Sequence, residues 1–238
     1  MTSIAFAAAA SASTRPRIVG VEHLPYVRRD RARRALNVTV AAIGLVAAAP
    51  VMAIIALAIK LTSKGPVIYR QTRVGVDRRK MYGGNHRRVQ DFGGLPFTMF
   101  KFRTMAVAQS RKPSEVWAAP DDPRVTALGR MLRKYRLDEI PQLYNVLLGD
   151  MNVVGPRPEQ PTIFAELREQ IPGYGARQRV RPGITGWAQI NQHYDTCLDD
   201  VKRKVNYDLE YVARQSLAED LKIMLRTVPT VALRRGGW

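Results

Sequence analysis

The chain has 238 residues, and 38 Lys and Arg against 20 Asp and Glu give it a formal net charge of +18 at pH 7. That length allows one domain, or at most two small ones, with a real core, and 24% charged with 8% aromatic residues excludes wholesale disorder and collagen-like or low-complexity classes. The single cysteine, Cys197, excludes an internal disulfide, and three scattered histidines offer no Cys/His cluster for structural zinc, so the chain reads as cytosol-facing. Nucleic acid, an anionic membrane and a phosphorylated small substrate would each select such an excess of positive charge.

Residues 1–27 read as a disordered tail. Their Ala-rich run, MTSIAFAAAASAS, lacks the basic residues that precede the apolar core of a cleaved signal. Residues 28–64 read as a basic flank followed by a membrane helix. From Ala35 to Ile59 there is no charged residue, and a straight helix of that length reaches about 35 Å, enough for a hydrocarbon core of about 30 Å. Pro50 lies near its middle, where it removes a backbone donor and predicts a kink. Both flanks are basic, with Arg28 to Arg34 before the segment and Lys60 and Lys64 after it. Positive charge stays on the cytoplasmic side, so this pattern fits a hairpin that enters and returns better than a span. The alternative, a helix buried in a soluble protein and apolar on every face, would need a larger protein around it.

Residues 65–238 read as a cytosolic domain, so that the fold class is α+β, mainly helical. A strand is expected around Val67 to Tyr69 after a Gly-Pro turn, and a second over Phe97 to Met105, with Lys101 and Arg103 on one side of it. Between them lies a Gly-rich basic loop, Gly83 to Gly94, and a polar loop follows over Lys112 to Asp122. Helices are expected from Asp122 onward through Val125, Leu128, Met131 and Leu132, then from Asp138 to Leu148 with a stop at Gly149. Three more follow over Thr162 to Ile171, Leu198 to Gln215 and Leu217 to Leu233.

Asp138 and Glu139 are adjacent carboxylates, preceded by Arg133, Lys134 and Arg136. Two readings of Asp138 stand side by side. It can cap a helix, although Pro141 supplies no backbone N–H where a cap side chain seeks one. It can equally stay ionised among cations and meet a phosphate, one carboxylate attacking phosphorus while the other holds a divalent cation. Pro-flanked Arg157 in GPRP and Arg181 in RPGITG offer guanidinium groups suited to paired hydrogen bonds with phosphate. With Lys101 and Arg103 of the KFRT run they form the candidate phosphate-binding set. There is no Walker A loop and no GxGxxG, His23, His86 and His193 lack metal-ligand spacing, and the three tryptophans are too scattered to stack bases.

The run from about Arg31 to Arg226 resembles the bacterial sugar transferases, monotopic phosphoglycosyl transferases that act on polyprenyl phosphate. The matching pieces are the apolar segment broken at Pro50, GPVIYRQTRVG, FTMFKFRTM, DPRVTALGRMLRKYRLDEIPQLYNVLLGDM, VVGPRPE, VRPGITGWAQIN and YDLEYV followed by DLKIM. The resemblance implies a ping-pong transfer of a sugar-1-phosphate from a UDP-sugar to undecaprenyl phosphate. In it Asp138 becomes a phosphosugar-aspartate and UMP is released, as the first step of exopolysaccharide, capsule or O-antigen assembly. It further implies that Glu139 holds Mg²⁺, that Lys101, Arg157 and Arg181 bind phosphates, and that Asp208 lies near the nucleotide. The fold it implies is a re-entrant helix hairpin on a catalytic domain with a small sheet and interfacial amphipathic helices, at the cytoplasmic face of the inner membrane, against anionic lipid. It leaves room for a homodimer and implies no nucleic acid.

The chain departs from the family pattern at Ala49, where a Ser usually precedes the proline, at Asn37, usually acidic, and at Arg136, often Ser. Its loop from Asp77 to Gly94 is longer than usual and basic, and the chain resembles the compact form of the family. Two rival classes remain at this stage: a nucleic-acid-binding protein, suggested by a pI of about 10.7, and a non-catalytic membrane scaffold.

Overall fold

The computed structural model describes residues 24–25, 30–77, 93–107, 122–192 and 197–232. The expected tail apart from Leu24 and Pro25, Arg28 and Arg29 of the basic flank, the basic loop apart from Asp77, Gly93 and Gly94, and the Lys112 to Asp122 loop apart from Asp122 lie outside the described residues.

The first element is a single helix, α1 (Arg31–Thr62). Asp30 starts it by accepting the Arg33 N–H at 3.0 Å, and the chain turns extended at Ser63. The helical backbone continues through Pro50, where the expected break would lie. The missing N–H there costs the Val46 carbonyl its intrahelical donor. Only 11% of its most apolar 18-residue window is buried, so α1 is not the core helix of a soluble protein. Ile43, Val46, Ile54 and Leu57 stand exposed along it.

Both ends of α1 nevertheless pack onto the same domain. At the start, Arg33, Asn37 and Ala41 recur every four residues and are buried. Asn37 donates to the Arg33 carbonyl at 2.7 Å and accepts the Val153 N–H at 2.6 Å. An acidic residue there could not donate to that carbonyl. At the end, Ile55 and Ile59 are buried with Phe102 and Leu132 in a small apolar cluster of their own.

The domain begins with an antiparallel pair, β1 (Ile68–Val74) and β2 (Pro96–Phe102), in register Tyr69 with Lys101. Next come α2 (Ala127–Lys134), a 3₁₀ turn over Leu137–Glu139 and α3 (Gln142–Leu148). The cap of α2 is Thr126, whose hydroxyl accepts the Gly129 N–H at 2.9 Å. Asp122, the expected start, instead pairs with Arg124 at 2.6 Å. Gly149 ends α3 with φ 87°, a left-handed value that glycine adopts without strain.

Beyond it, β3 (Asn152–Val154) pairs in parallel with β4 (Gly183–Thr185), a sheet with no signal in the apolar pattern. A Cβ on Gly155 would sit 2.4 Å from the Arg181 carbonyl oxygen, so only glycine lets these strands approach. Between the strands lie α4 (Pro161–Gln170) and a 3₁₀ helix over Tyr174–Arg179. The chain closes with α5 (Trp187–Asn191), α6 (Leu198–Arg214) and α7 (Leu217–Ala232). The main core gathers Val74, Met99, Val146, Met151, Val154, Phe164, Tyr174, Val201, Val212 and Ile223. Leu24, within the expected tail, is buried in it too. α7 leaves Leu217, Leu221, Leu225 and Val228 exposed at helical spacing along one side.

Candidate active site

Asp138 and Glu139 sit in the 3₁₀ turn between α2 and α3, and both are buried. The cap of this turn is Arg136 and that of α3 is Pro141, and neither end has a side-chain cap bond. Capping therefore does not account for Asp138. Arg136 reverses the chain out of α2 with φ 53°, the one positive φ among the described non-glycine residues, a conformation that costs an L-residue about 1–2 kcal/mol. Leu137 fixes the turn from beneath, packed against the cluster that holds Ile55 and Ile59 of α1. The turn that carries the carboxylates thus shares an apolar cluster with the apolar helix.

Three cations meet Glu139. Lys101 Nζ lies 2.9 Å from Oε1, Arg157 Nη2 2.6 Å from the same oxygen, and Arg136 Nη1 3.7 Å from Oε2. Burial alone would raise this carboxyl, but Arg157 and Lys101 hold it well below its usual range. Asp138 goes the other way. Its burial outweighs the attraction of Lys101, Arg157 and Arg133, and Glu139 beside it adds repulsion, so its carboxyl is raised above the ordinary value. Two neighbours in sequence are thereby set apart: Glu139 is a clamped anion, while Asp138 is a desolvated carboxyl with a raised pKa.

The loop after β3 carries Arg157, whose flanking prolines fix the backbone. Behind it lies a buried charged network that sequence reasoning missed. Arg177, 1% exposed, donates from Nε to Asp208 at 2.7 Å, from Nη1 to the Tyr174 hydroxyl at 2.8 Å and from Nη2 to the Arg157 carbonyl at 3.0 Å. Tyr174, Asp208 and Glu159 outweigh the cost of burial and raise its pKa, so it is charged throughout. Glu159 is held down to about 2 against its burial by Lys204, Arg177 and Arg73. Glu159 lay within the GPRPE motif and was visible there. Arg73 lay within the GPVIYRQTRVG motif, and Arg177 had no periodic or motif signal, because its partners Asp208, Glu159 and the Arg157 carbonyl lie far away in the chain.

The remaining expected site residues are distributed unevenly. Lys101 and Arg157 converge on Glu139 beside Asp138. Asp208 is buried against Arg177, which in turn holds the Arg157 carbonyl. Arg103 closes the end of α1, donating to the Lys64 carbonyl at 2.7 Å and to the Ser63 carbonyl at 2.9 Å. Arg181 donates to the Gly149 carbonyl at 3.0 Å, and Arg34 donates to those of Val146 and Leu147, so both serve the C-terminus of α3. Arg181 lines a small cleft there with Asp30, Arg33, Arg34 and Gln215.

No group of three or more His, Cys, Asp or Glu side chains among the described residues is placed to hold a metal ion. An all-protein metal cage is therefore absent from them. Asp138 and Glu139 offer two adjacent carboxylates, and Mg²⁺ commonly takes only one or two, completing its shell with substrate phosphate and water.

Comparison with known proteins shows the family of this chain. The family model described as bacterial sugar transferase matches residues 28–234. The chain is 43% identical over 199 residues to the UDP-glucose:undecaprenyl-phosphate glucose-1-phosphate transferase of Escherichia coli, covering 82% of this chain and 39% of that protein. It is 40% identical to a Caulobacter vibrioides protein of the same name, covering 87% of this chain and 72% of the relative. It is also 38% identical to a UDP-N-acetylgalactosamine-undecaprenyl-phosphate N-acetylgalactosaminephosphotransferase of Aeromonas hydrophila, covering 84% of this chain and 43% of the relative. The chain thus spans about two fifths of the length of the Escherichia and Aeromonas relatives. A matched region that runs from the basic flank of α1 to the end of α7, and includes the carboxylate turn and both arginine loops, places this chain in the bacterial sugar transferase family.

Proposed function

We propose that the protein transfers a sugar-1-phosphate from a UDP-sugar to undecaprenyl phosphate, with Asp138 as nucleophile. The observation that carries this reading is the pair of adjacent buried carboxylates with opposite electrostatics, set under Lys101, Arg157 and Arg136. An Asp138 oxygen attacks the sugar-proximal phosphorus, the bond from that phosphorus to the bridging oxygen breaks, and UMP leaves with that oxygen. A phosphate oxygen of the lipid then attacks the same phosphorus, releasing the Asp138 carboxylate and leaving a polyprenyl diphosphate sugar. Two anionic substrates must approach an anionic nucleophile in turn, and the cations around Glu139 are positioned to screen that repulsion. Glu139 would hold Mg²⁺ together with the donor phosphates, and the ion would supply further charge neutralisation at the phosphoryl oxygens.

We assign α1 to the cytoplasmic leaflet of the inner membrane as a re-entrant element. A helix whose two ends pack on one domain cannot place that domain on one side of a bilayer and its own far end on the other, and the basic flanks are retained on the cytoplasmic side. The exposed apolar side of α7 fits an interfacial helix against anionic lipid. The initiating step of an exopolysaccharide pathway, with a hexose phosphate as the transferred group, is the role most consistent with the glucose-1-phosphate transferases among the relatives.

The test is UMP release from detergent-solubilised protein against a panel of UDP-sugars, with and without Mg²⁺ and polyprenyl phosphate. Release with UDP-glucose that requires Asp138 is expected, and no release with any donor would overturn the reading. For topology, cysteines placed at Arg31 and Lys64 in a Cys197→Ser background should both be labelled only from the cytoplasmic side. A Lys64 site labelled from the periplasm refutes re-entry.

A further inference from the structure

The loop that presents Arg157 has few backbone donors of its own, because Pro156 and Pro158 have no N–H. It is held through its carbonyls instead. The Pro156 carbonyl accepts the Gly183 N–H at 3.0 Å, that of Arg157 accepts Arg177 Nη2 at 3.0 Å, and that of Pro158 accepts Arg73 Nη1 at 3.0 Å. Three consecutive carbonyls are thus taken by three distant parts of the chain. The two arginines among these donors converge on the next residue, since Glu159 Oε2 lies 3.8 Å from Arg73 and Oε1 3.9 Å from Arg177. Lys204 closes the group at 3.0 Å from Oε1. Arg177 is fixed in turn by Asp208 and by the ring of Tyr174, 4.9 Å below it.

We infer that Arg177 and Arg73, tied together by Glu159, are positioning residues that aim Arg157 at Glu139. This rests on the reading of Asp138 and Glu139 given above. The backbone of Arg157 is held from behind, and its guanidinium, about one third exposed, projects forward to Glu139. The arrangement needs a guanidinium at 177. The planar fork serves a carboxylate, a hydroxyl and a carbonyl from three separate nitrogens, and a lysine ammonium keeps the charge but loses that geometry. It also gives Asp208 its task. The carboxylate acts on the site at two removes, through Arg177 and the Arg157 backbone.

The test is a double-mutant cycle in the full-length, detergent-solubilised protein. Arg177→Lys is expected to lower kcat for UMP release by about ten- to a hundredfold, the scale of a slightly misplaced catalytic group. Placed on Arg157→Ala, the same change should cost almost nothing further, since it acts through a side chain already removed. Arg73→Lys should follow the same rule. Full additivity, or an unaltered kcat in Arg177→Lys, overturns the inference. A purely structural role would instead lower thermal stability and act equally with or without Arg157.

A second readout is independent of turnover. The one amide between Gly155 and Glu159 is that of Arg157, and its hydrogen exchange should quicken in Arg177→Lys while that of α7 stays unchanged. Unaltered exchange at Arg157 overturns the inference. Absence of UMP release in the unmodified protein would sink the proposed activity, and hydrogen exchange would still decide the positioning.

Discussion

Asp138 and Glu139 are neighbours, yet removing the charge of Glu139 should cost stability and removing that of Asp138 should not. Glu139→Gln leaves Lys101, 2.9 Å away and largely buried, without the charge it faces. Breaking a buried pair in this way costs about 3–5 kcal/mol. The lower end applies here, because Arg157 is partly solvated and its share is screened. At roughly 2–4 °C per kcal/mol for a protein of this size, the apparent Tm should fall by about 6–12 °C.

Asp138 has a carboxyl raised by burial. A group whose folded pKa is raised is harder to ionise in the fold than in the unfolded chain, so at neutral pH its charge subtracts from stability. The nearly isosteric Asp138→Asn removes that cost, and the apparent Tm should stay level or rise by a few degrees. UMP release should meanwhile fall by at least about a thousandfold. Thermal scans of both variants at one scan rate in the same detergent, together with the UMP assay, decide the matter. If Asp138→Asn lowers the Tm as Glu139→Gln does, Asp138 is a second structural ion-pair partner, and the desolvated nucleophile is refuted. Retained UMP release in Asp138→Asn refutes it independently.

The pH dependence of activity should separate from that of folding. The acid limb of UMP release follows Asp138 and should lie above the ordinary Asp value of 3.8. Glu139 and Glu159 have depressed values, so the stability they contribute is complete above about 4.5 and is lost only at lower pH, for Glu159 as pH falls toward about 2. Circular dichroism should therefore remain native through the loss of activity, and coincident loss would count against the assignment. Arg136→Gly relieves the backbone strain at φ 53° and should raise the apparent Tm by about 2–4 °C. It should also slow UMP release by removing the cation 3.7 Å from Glu139, and a lowered Tm would show that the turn stores no strain. Val46→Lys with Ile54→Lys puts two charges on the exposed side of α1, each costing about 2.5–3.5 kcal/mol in a bilayer interior. The protein should then leave membranes in high salt without detergent, and unchanged membrane retention would contradict lipid contact by that side.

Local signals carried much of the architecture. The uncharged run from Ala35 to Ile59 placed α1, because burial of so many apolar residues needs either lipid or a large core. Helical spacing placed α4, α6 and α7 to within a residue or so at each described end, and Gly149 placed the end of α3. The first strand is longer than its alternation suggested, Ile68–Val74 against Val67 to Tyr69. Thr126 displaced Asp122 as the cap of α2, because a paired Asp122 is already committed to Arg124. The parallel pair β3 and β4 was not legible. Its strands are three residues each and rest on a close approach of Gly155 and Gly183 that no periodicity encodes.

For the site, the adjacency of Asp138 and Glu139 and the proline-flanked arginines were set by the sequence alone. Local residue types also specified that several cations would surround any anion bound there. Tertiary structure decided which carboxylate is clamped and which is left desolvated, because that depends on where Lys101 of β2 and Arg157 of a distant loop come to rest. It also decided which arginines are committed elsewhere. Arg103 closes α1 and Arg181 closes α3, whereas Arg177, unremarkable in the chain, lies behind Arg157 with Asp208. An arginine's sequence context fixes only its charge and reach. Its partners are set by long-range packing, and those partners determine whether that charge meets a helix end, a buried carboxylate or a phosphate.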